Sequence, residues 1–184
     1  MQAELLSRAT FSAAEAEAND FREQIIGLFY FSLYLLTAVI FGCWIVRANK
    51  NARALGADDL RITPGWAVGY FFVPILNLWR PYQAMKGLWQ ASHSPSSWTS
   101  LTASPILPAW WTLWLVSSFV SQAAFRAAMD TNQIDDPNKI IAGLKTATFL
   151  DIASASVEIP LCLVAMFLVT QITHAQKTHV ENDT

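Results

Sequence analysis

The sequence predicts an all-α fold, an integral membrane bundle of about four helices. Hydrophobic residues make up 53% of the 184 residues and charged residues only 14%, which is far from the composition of an average soluble protein. The hydrophobic residues come in uncharged blocks, several of which are long enough to cross a bilayer as a helix. The eight Trp lie near the ends of such blocks, as expected of rings that favour the membrane interface.

The predicted spans differ in length and in the charges they contain. They cover residues 25–46, 64–79, 106–126 and 150–173. The first has 22 residues and no charge, whereas the last holds an acidic residue at each of Asp151 and Glu158. We expect one transmembrane helical domain over residues 20–176, preceded by an N-terminal tail (1–19) and followed by a C-terminal tail (177–184).

The flanks of the first span predict its start and its orientation. Asp20, with Glu23 three residues on, has the spacing of a helix N-cap. Beyond the span the helix continues into RANKNARALG, whose three cations precede a stop at Gly56. Because cytoplasmic loops are enriched in Lys and Arg, loop 47–62 is predicted to be cytoplasmic. The first span serves as its own targeting signal, and no cleavable signal peptide is expected.

The second segment, 64–79, admits two topologies. Its 16 residues give roughly 24 Å of helix against a hydrocarbon core of about 30 Å, and Pro74 interrupts it. It either crosses as a short, Pro-broken span or dips and returns to the same face. Non-helical backbone in lipid must be shielded by protein, which favours a crossing and a bundle of four spans.

The distribution of Lys and Arg favours the dip. With Arg126 set aside as intramembrane, a crossing places six cations on the cytoplasmic side against five, whereas a dip places seven against four. The seven are Arg47, Lys50, Arg53, Arg61, Arg80, Lys86 and Lys177. We retain four spans as the prediction and leave the dip open.

A short amphipathic helix is predicted at about 80–91, lying at the membrane interface. Tyr82, Met85 and Trp89 recur on one side at helical spacing. Pro81 suits the first turn, and Asn77 is placed to cap the helix or to bind carbonyls freed by Pro74. The helix is either a lipid- or partner-contacting surface or an elbow between two spans.

A long motif runs from Trp44 to Ser92 and reads WIVRANKNARALGADDLRITPGWAVGYFFVPILNLWRPYQAMKGLWQAS. Later segments read WWTLWLVS from Trp110, TFLDIAS, and VTQITHAQ. Over about 30–176 these segments resemble the uncharacterised bacterial membrane family called domain of unknown function 4328. The resemblance implies a bacterial, multi-pass membrane protein and supplies no activity or catalytic residue. The motif residues of interest are Pro64, Gly65, Trp66, Pro74, Asn77, Trp79, Arg80, Pro81 and Tyr82.

The predicted third and fourth spans carry an intramembrane polar cluster. Its members are Ser118, Gln122 and Arg126 on one helix and Asp151, Ser154 and Glu158 on the other. Charges at membrane depth are costly, so each should face the bundle and find a partner. In a symmetric helical hairpin Arg126 lies level with Asp151, which predicts an ion pair, and Glu158 lies near Ser118.

These patterns favour a non-enzymatic scaffold or accessory subunit that contacts lipid, another membrane protein or a second copy. The chain has no motif for catalysis, cofactor or metal binding, and its net charge of −2 gives no reason to expect nucleic acid. The alternative is a small proton- or ion-coupled permease that uses Glu158 and the broken second segment. The expected location is the bacterial cytoplasmic (inner) membrane.

Overall fold

A computed structural model describes residues 13–131 and 137–182, and these ranges are helical without any β-strand. The predicted all-α class is therefore confirmed. The α-helices of the described ranges are α1 (Ala13–Ala54), α2 (Pro64–Gly69), α3 (Arg80–His93), α4 (Ile106–Thr131) and α5 (Pro137–Asn182). Two 3₁₀ helices, Leu76–Leu78 and Pro95–Ser100, flank α3.

Helix α1 starts earlier than predicted and ends where predicted. Its first turns use the strong helix formers of AAEAEA, so Asp20 lies inside the helix and the predicted cap there is wrong. At the other end Gly56 has a φ of 94°, the left-handed conformation that glycine adopts without steric cost. Ala57 N–H donates to Ala52 O at 3.1 Å and Gly56 N–H to Arg53 O at 3.1 Å, which is a Schellman C-cap.

The segment 64–79 does not form one helix: it is broken, as Pro74 predicted, and its helical parts are shorter than a span. Thr63 caps α2 by accepting from Trp66 N–H, but α2 has only six residues. The chain then turns, because Pro74 cannot donate to a helix and Ile75 takes a φ of 69°. The three-residue 3₁₀ helix leads directly into α3.

Helix α3 is the predicted amphipathic helix, extended by two residues to His93. Its apolar side is buried within the protein at Pro81, Ala84, Met85, Leu88 and Ala91. The periodicity therefore marks a packing face that the protein itself covers.

Among the described residues, two helices are long and apolar enough to cross a membrane by length and composition alone, Phe21–Ala54 within α1 and Lys139–Asn182 within α5. The predicted span 106–126 lies in α4, which has 26 residues and is not one of these two. Of the four predicted spans, two are therefore candidate membrane helices, one lies in α4 and one is an irregular segment. Helix α5 also continues through the expected tail to Asn182.

The described residues fall into two compact units that divide between Cys43 and Trp44. The first unit contributes the apolar part of α1. The second has a core of small and branched residues from the end of α1, from α2 to α4 and from the end of α5. Its buried members include Ile45, Ala48, Ala52, Leu60, Ala67, Met85, Leu88, Leu107, Trp110, Leu168 and Ile172.

Candidate functional site

Helices α4 and α5 pack through small residues. Ser117 and Ala124 of α4 are buried, as are Ala147 and Ser154 of α5, and each pair is seven residues apart along its helix. Small side chains at this spacing allow two helix backbones to approach closely, which is a common basis of packing in lipid.

The expected polar stripe on α4 does not lie in this interface. Ser118, Gln122 and Arg126 are all exposed, because Ser118 is one position, or about 100°, around the helix from buried Ser117. The Ser118 hydroxyl donates instead to Trp114 O in the preceding turn, at 2.8 Å. The three residues therefore lie on the predicted helix but on a face next to the one that contacts α5.

A short hydrogen-bonded chain crosses between the two helices. The hydroxyls of Ser121 and Ser154 are 2.7 Å apart, and Ser154 Oγ donates to Glu158 Oε1 at 3.1 Å. Ser154 is buried, whereas Glu158 is exposed. The structure thus joins two predicted residues, Ser154 and Glu158, directly, and it adds Ser121, which was not predicted, as the partner of Ser154 on α4.

The predicted ion pair between Arg126 and Asp151 is wrong, because no such pair forms in the described ranges and both side chains are exposed. The Ser121–Ser154 contact places the two residues at similar levels, as the hairpin argument expected. However, Arg126 is two residues beyond buried Ala124, which turns it about 200° around α4 and away from α5.

The motif segment 64–82 presents apolar side chains on irregular backbone. Trp66 is 53% exposed, Phe72 77% and Ile75 71%, while Leu78 and Trp79 at the end of the turn are 45% and 41% exposed. The Trp66 ring lies against Tyr70, with ring centroids 5.1 Å apart. Gly65 and Pro74 are exposed, and Pro64 and Tyr82 are half-buried. In contrast Pro81 is fully buried at the start of α3.

Asn77 does not cap α3, so that prediction is wrong. The N-cap residue is Trp79, which makes no side-chain capping bond, and Asn77 Oδ1 is buried without a partner in the described chain. Arg80 Nη1 donates to Gln83 Oε1 at 3.2 Å, and its guanidinium carbon lies 5.6 Å from the centroid of the Tyr70 ring. The charged group of Arg80 therefore contacts nearby residues, Tyr70 and Gln83, of the same part of the chain.

Arg53 clamps the loop that precedes α2. Its Nη2 donates to Leu60 O at 2.7 Å and to Ile62 O at 3.1 Å, and its Nε donates to Asn49 Oδ1 at 3.2 Å. On the far side of α3, Trp98 Nε1 donates to Asp58 O at 3.1 Å. The two ends of the segment from α2 to α3 are therefore tied together.

Gln176 forms a polar junction among three helices. Its Nε2 donates to Ala48 O of α1 and to Ser92 Oγ of α3, both at 2.8 Å, and its Oε1 accepts from Asn51 Nδ2 at 3.3 Å. Five residues earlier on α5, Gln171 accepts from Trp89 Nε1 at 3.1 Å. Both glutamines belong to the segment VTQITHAQ, and this segment is the sequence signal from which the junction could have been predicted.

The structure brings together no metal-ligand set among the residues it describes: no three His, Cys, Asp or Glu side chains are placed to hold an ion. Where the helices meet, a shallow apolar crevice is lined by Ile45, Ala67, Phe71, Pro81, Ala84, Met85 and Leu88. The helices therefore contact one another through apolar surfaces and through the hydrogen bonds of Arg53, Gln171 and Gln176, which we call polar locks.

The family model described as Domain of unknown function (DUF4328) matches residues 7–174 of the chain. The chain belongs to this family. The resemblance carried by the Trp44–Ser92 motif is thus confirmed, and the match covers α2, α3, Ser121, Ser154 and Glu158 in this DUF4328 protein. No curated protein and no solved structure matches the chain.

Proposed function

We propose that this DUF4328 protein is a non-enzymatic, multi-pass scaffold or accessory subunit of the bacterial cytoplasmic membrane. Helices α1 and α5 anchor it, and the Gln176 junction fixes the ends of three helices as a platform for a partner membrane protein or a second copy. Loop 47–62, which carries the cations that follow the first span, lies on the cytoplasmic side.

The observation that carries the proposal is the uncovered apolar surface of α5. Six large side chains along its apolar part are more than half exposed: Phe149, Ile152, Ile159, Leu163, Met166 and Phe167. Soluble monomers rarely leave an apolar surface of this extent in water. Lipid acyl chains are the natural cover for it, since a helix of this composition is long enough to cross the bilayer.

The polar locks favour a rigid platform. Gln176 is 6% exposed and Asn49 is 2% exposed, so their hydrogen bonds are shielded from water. Removing one partner of such a bond leaves the other buried and unsatisfied, at a cost of about 1–3 kcal/mol. A set of these bonds therefore holds α1, α3 and α5 in one arrangement, as a docking platform requires.

A permease is the second candidate, favoured by the Ser121–Ser154–Glu158 chain. A carboxyl at membrane depth is a usual mark of a proton or ion pathway. However, Ser154 and Glu158 are one turn apart, about 6 Å along a hydrocarbon core of about 30 Å. This chain lines too little of a path to rank above a scaffold.

Two measurements test the proposal. In carbonate-washed membranes the protein should stay in the pellet and require detergent for release; recovery in the supernatant would contradict membrane anchoring. In proteoliposomes it should carry no proton or cation flux. A flux that is lost in Glu158→Gln, but kept in Ser156→Ala two residues away on the same helix, would establish the permease instead.

A further inference from the structure

We infer that residues 64–79 do not cross the bilayer but form the descending arm and tip of a re-entrant loop in one leaflet, and that α3 is the arm that returns the chain to the face from which it entered. The occupant of its exposed apolar surface is the acyl-chain region of that leaflet. The inference rests on the proposed membrane anchoring and adds to it the path of the DUF4328 motif segment.

The two ends of the segment meet at one place. Trp98, which follows α3, donates from its indole N–H to Asp58 O at 3.1 Å, before α2. Ser92, at the end of α3, bonds to Gln176, which also bonds to Ala48 at the end of α1. A segment that crossed the bilayer once would separate its ends by about 30 Å. These hydrogen bonds place entry and exit on the same side.

The descending and returning parts pack side by side. Near the entry, Leu60 lies against Gly87, with Leu60 Cδ2 3.7 Å from the position of an added Cβ. Further along, Ala67 and Phe71 share one apolar crevice with Pro81, Ala84, Met85 and Leu88 of α3. These contacts place α2 and the residues after it alongside α3, as expected of two arms joined by a turn.

The tip lies well below the polar junction. Leu78 O accepts from Trp111 Nε1 at 3.2 Å, and the Ser121–Ser154 contact sets the register of the α4–α5 hairpin. In that register Trp111 is level with about Val164, twelve residues before Gln176, or about 18 Å along α5. The twelve steps from Arg80 to Ser92 along α3 give the same length of about 18 Å.

The tip continues a lipid-facing surface. Phe72 and Ile75 are the most exposed large apolar residues of the segment, at 77% and 71%. At the same depth on α5, Leu163, Met166 and Phe167 are also exposed. Ile75 keeps its φ of 69°, which is unfavourable for a β-branched residue, in a turn that leaves this side chain uncovered.

Several backbone groups of the tip are paired within the protein, as lipid surroundings require. Phe72 N–H donates to Gly69 O at 3.0 Å, Asn77 N–H to Val73 O at 2.9 Å, and Trp79 N–H to Leu76 O at 3.2 Å. These turn hydrogen bonds and the bond from Trp111 supply part of the shielding that a dip needs.

The charges agree with this path. Arg80 at the start of the return lies over Tyr70 and bonds to Gln83, so its charged group has partners within the segment. With Arg80 set aside because it lies near the tip, a dip still places six Lys and Arg on the cytoplasmic side against four, whereas a crossing, which counts Arg80, places six against five.

Single cysteines test the path in the full chain, with Cys43 and Cys162 replaced by Ala. Asp58→Cys and Ser96→Cys flank the segment at exposed positions, and Lys139→Cys, also exposed, marks the start of α5. A membrane-impermeant maleimide should label positions 58 and 96 from the same side and position 139 from the other. Labelling of 58 and 96 from opposite sides would overturn the inference.

A second measurement tests contact with lipid. Phe72→Cys and Thr99→Cys, each carrying a bimane fluorophore, are reconstituted in vesicles of phosphatidylethanolamine and phosphatidylglycerol. Lipids spin-labelled on the acyl chain should quench the fluorophore at 72 several-fold more than at 99, and aqueous iodide should show the reverse order. Equal iodide quenching at both positions would contradict insertion, and Ile75→Cys repeats the test if the first variant folds poorly.

Carbonate extraction of the same variants separates the two proposals. Release from the membrane would overturn both anchoring and the loop. Retention in the membrane with labelling of 58 and 96 from opposite sides would overturn the loop alone.

Discussion

Gln176 shows how a polar residue near the end of a long apolar helix can connect three helices. Its amide makes three hydrogen bonds, to Ala48 O, Ser92 Oγ and Asn51 Nδ2, and the side chain is 6% exposed. Such a residue uses both ends of its amide, so that a hydrocarbon side chain of similar size cannot replace it.

Gln176→Leu should lower the free energy of unfolding by about 3 kcal/mol, because three partners lose their bonds in a buried site. Thermal unfolding in detergent measures the change. Lys177→Ala is the matched control, since its ion pair with Glu181 is exposed and contributes at most about 1 kcal/mol. Equal effects of the two substitutions would contradict a structural role for the junction.

Arg53 acts on a loop through its planar guanidinium. Arg53→Lys keeps the charge but loses the fork that reaches Leu60 O, Ile62 O and Asn49 Oδ1. We expect faster proteolytic cleavage between 55 and 63, at unchanged orientation in the membrane. Arg47→Lys, at an exposed position, should leave the cleavage rate unchanged, and a similar acceleration there would refute the clamp.

At the scale of elements, α4 and α5 pair through small residues. Ser154→Leu should destabilise the hairpin by about 1–3 kcal/mol, because the extra side chain overpacks a close interface. Ser156→Leu, on the exposed side of the same helix, should cost less than about 0.5 kcal/mol. Unfolding in detergent, followed by circular dichroism, compares them, and a harmless Ser154→Leu would rule out tight packing at this site.

The α4 helix itself was predictable, but its orientation was not. Two helices approach closely only where both carry small side chains, whereas long polar side chains keep them apart. The stripe of Ser118, Gln122 and Arg126 was therefore the wrong one, and the face of Ser117, Ser121 and Ala124 packs against α5. The turn at 70–79 was marked by Pro74, but its path depends on contacts from Arg53 and Trp98, which local periodicity does not contain.

At the scale of the whole molecule, the path of 64–79 decides on which side later segments lie. If this segment returns to its entry face, α4 starts on the cytoplasmic side, α5 returns to that side, and Lys177 joins the cytoplasmic cations. The Gln176 junction supports the proposed arrangement, since it brings the ends of α1, α3 and α5 together. The distribution of cations supports the same proposal by a separate route.

This topology predicts an asymmetric response to charge removal. With Arg80 set aside because it lies near the tip, replacing Arg47 and Lys50 with Gln leaves four cytoplasmic cations against four, so a substantial fraction of molecules should insert in the reverse orientation, each cation near the surface contributing about 1 kcal/mol. Replacing Lys139 and Lys145 with Gln leaves six against two, and orientation should stay as in the unmodified chain. A C-terminal fluorescent protein that matures only in the cytoplasm reports the fraction inserted each way. If 64–79 instead crossed, the C-terminus would lie outside, so the unmodified chain would give little signal and removal of either pair would raise it, which is the result that would refute the re-entrant path.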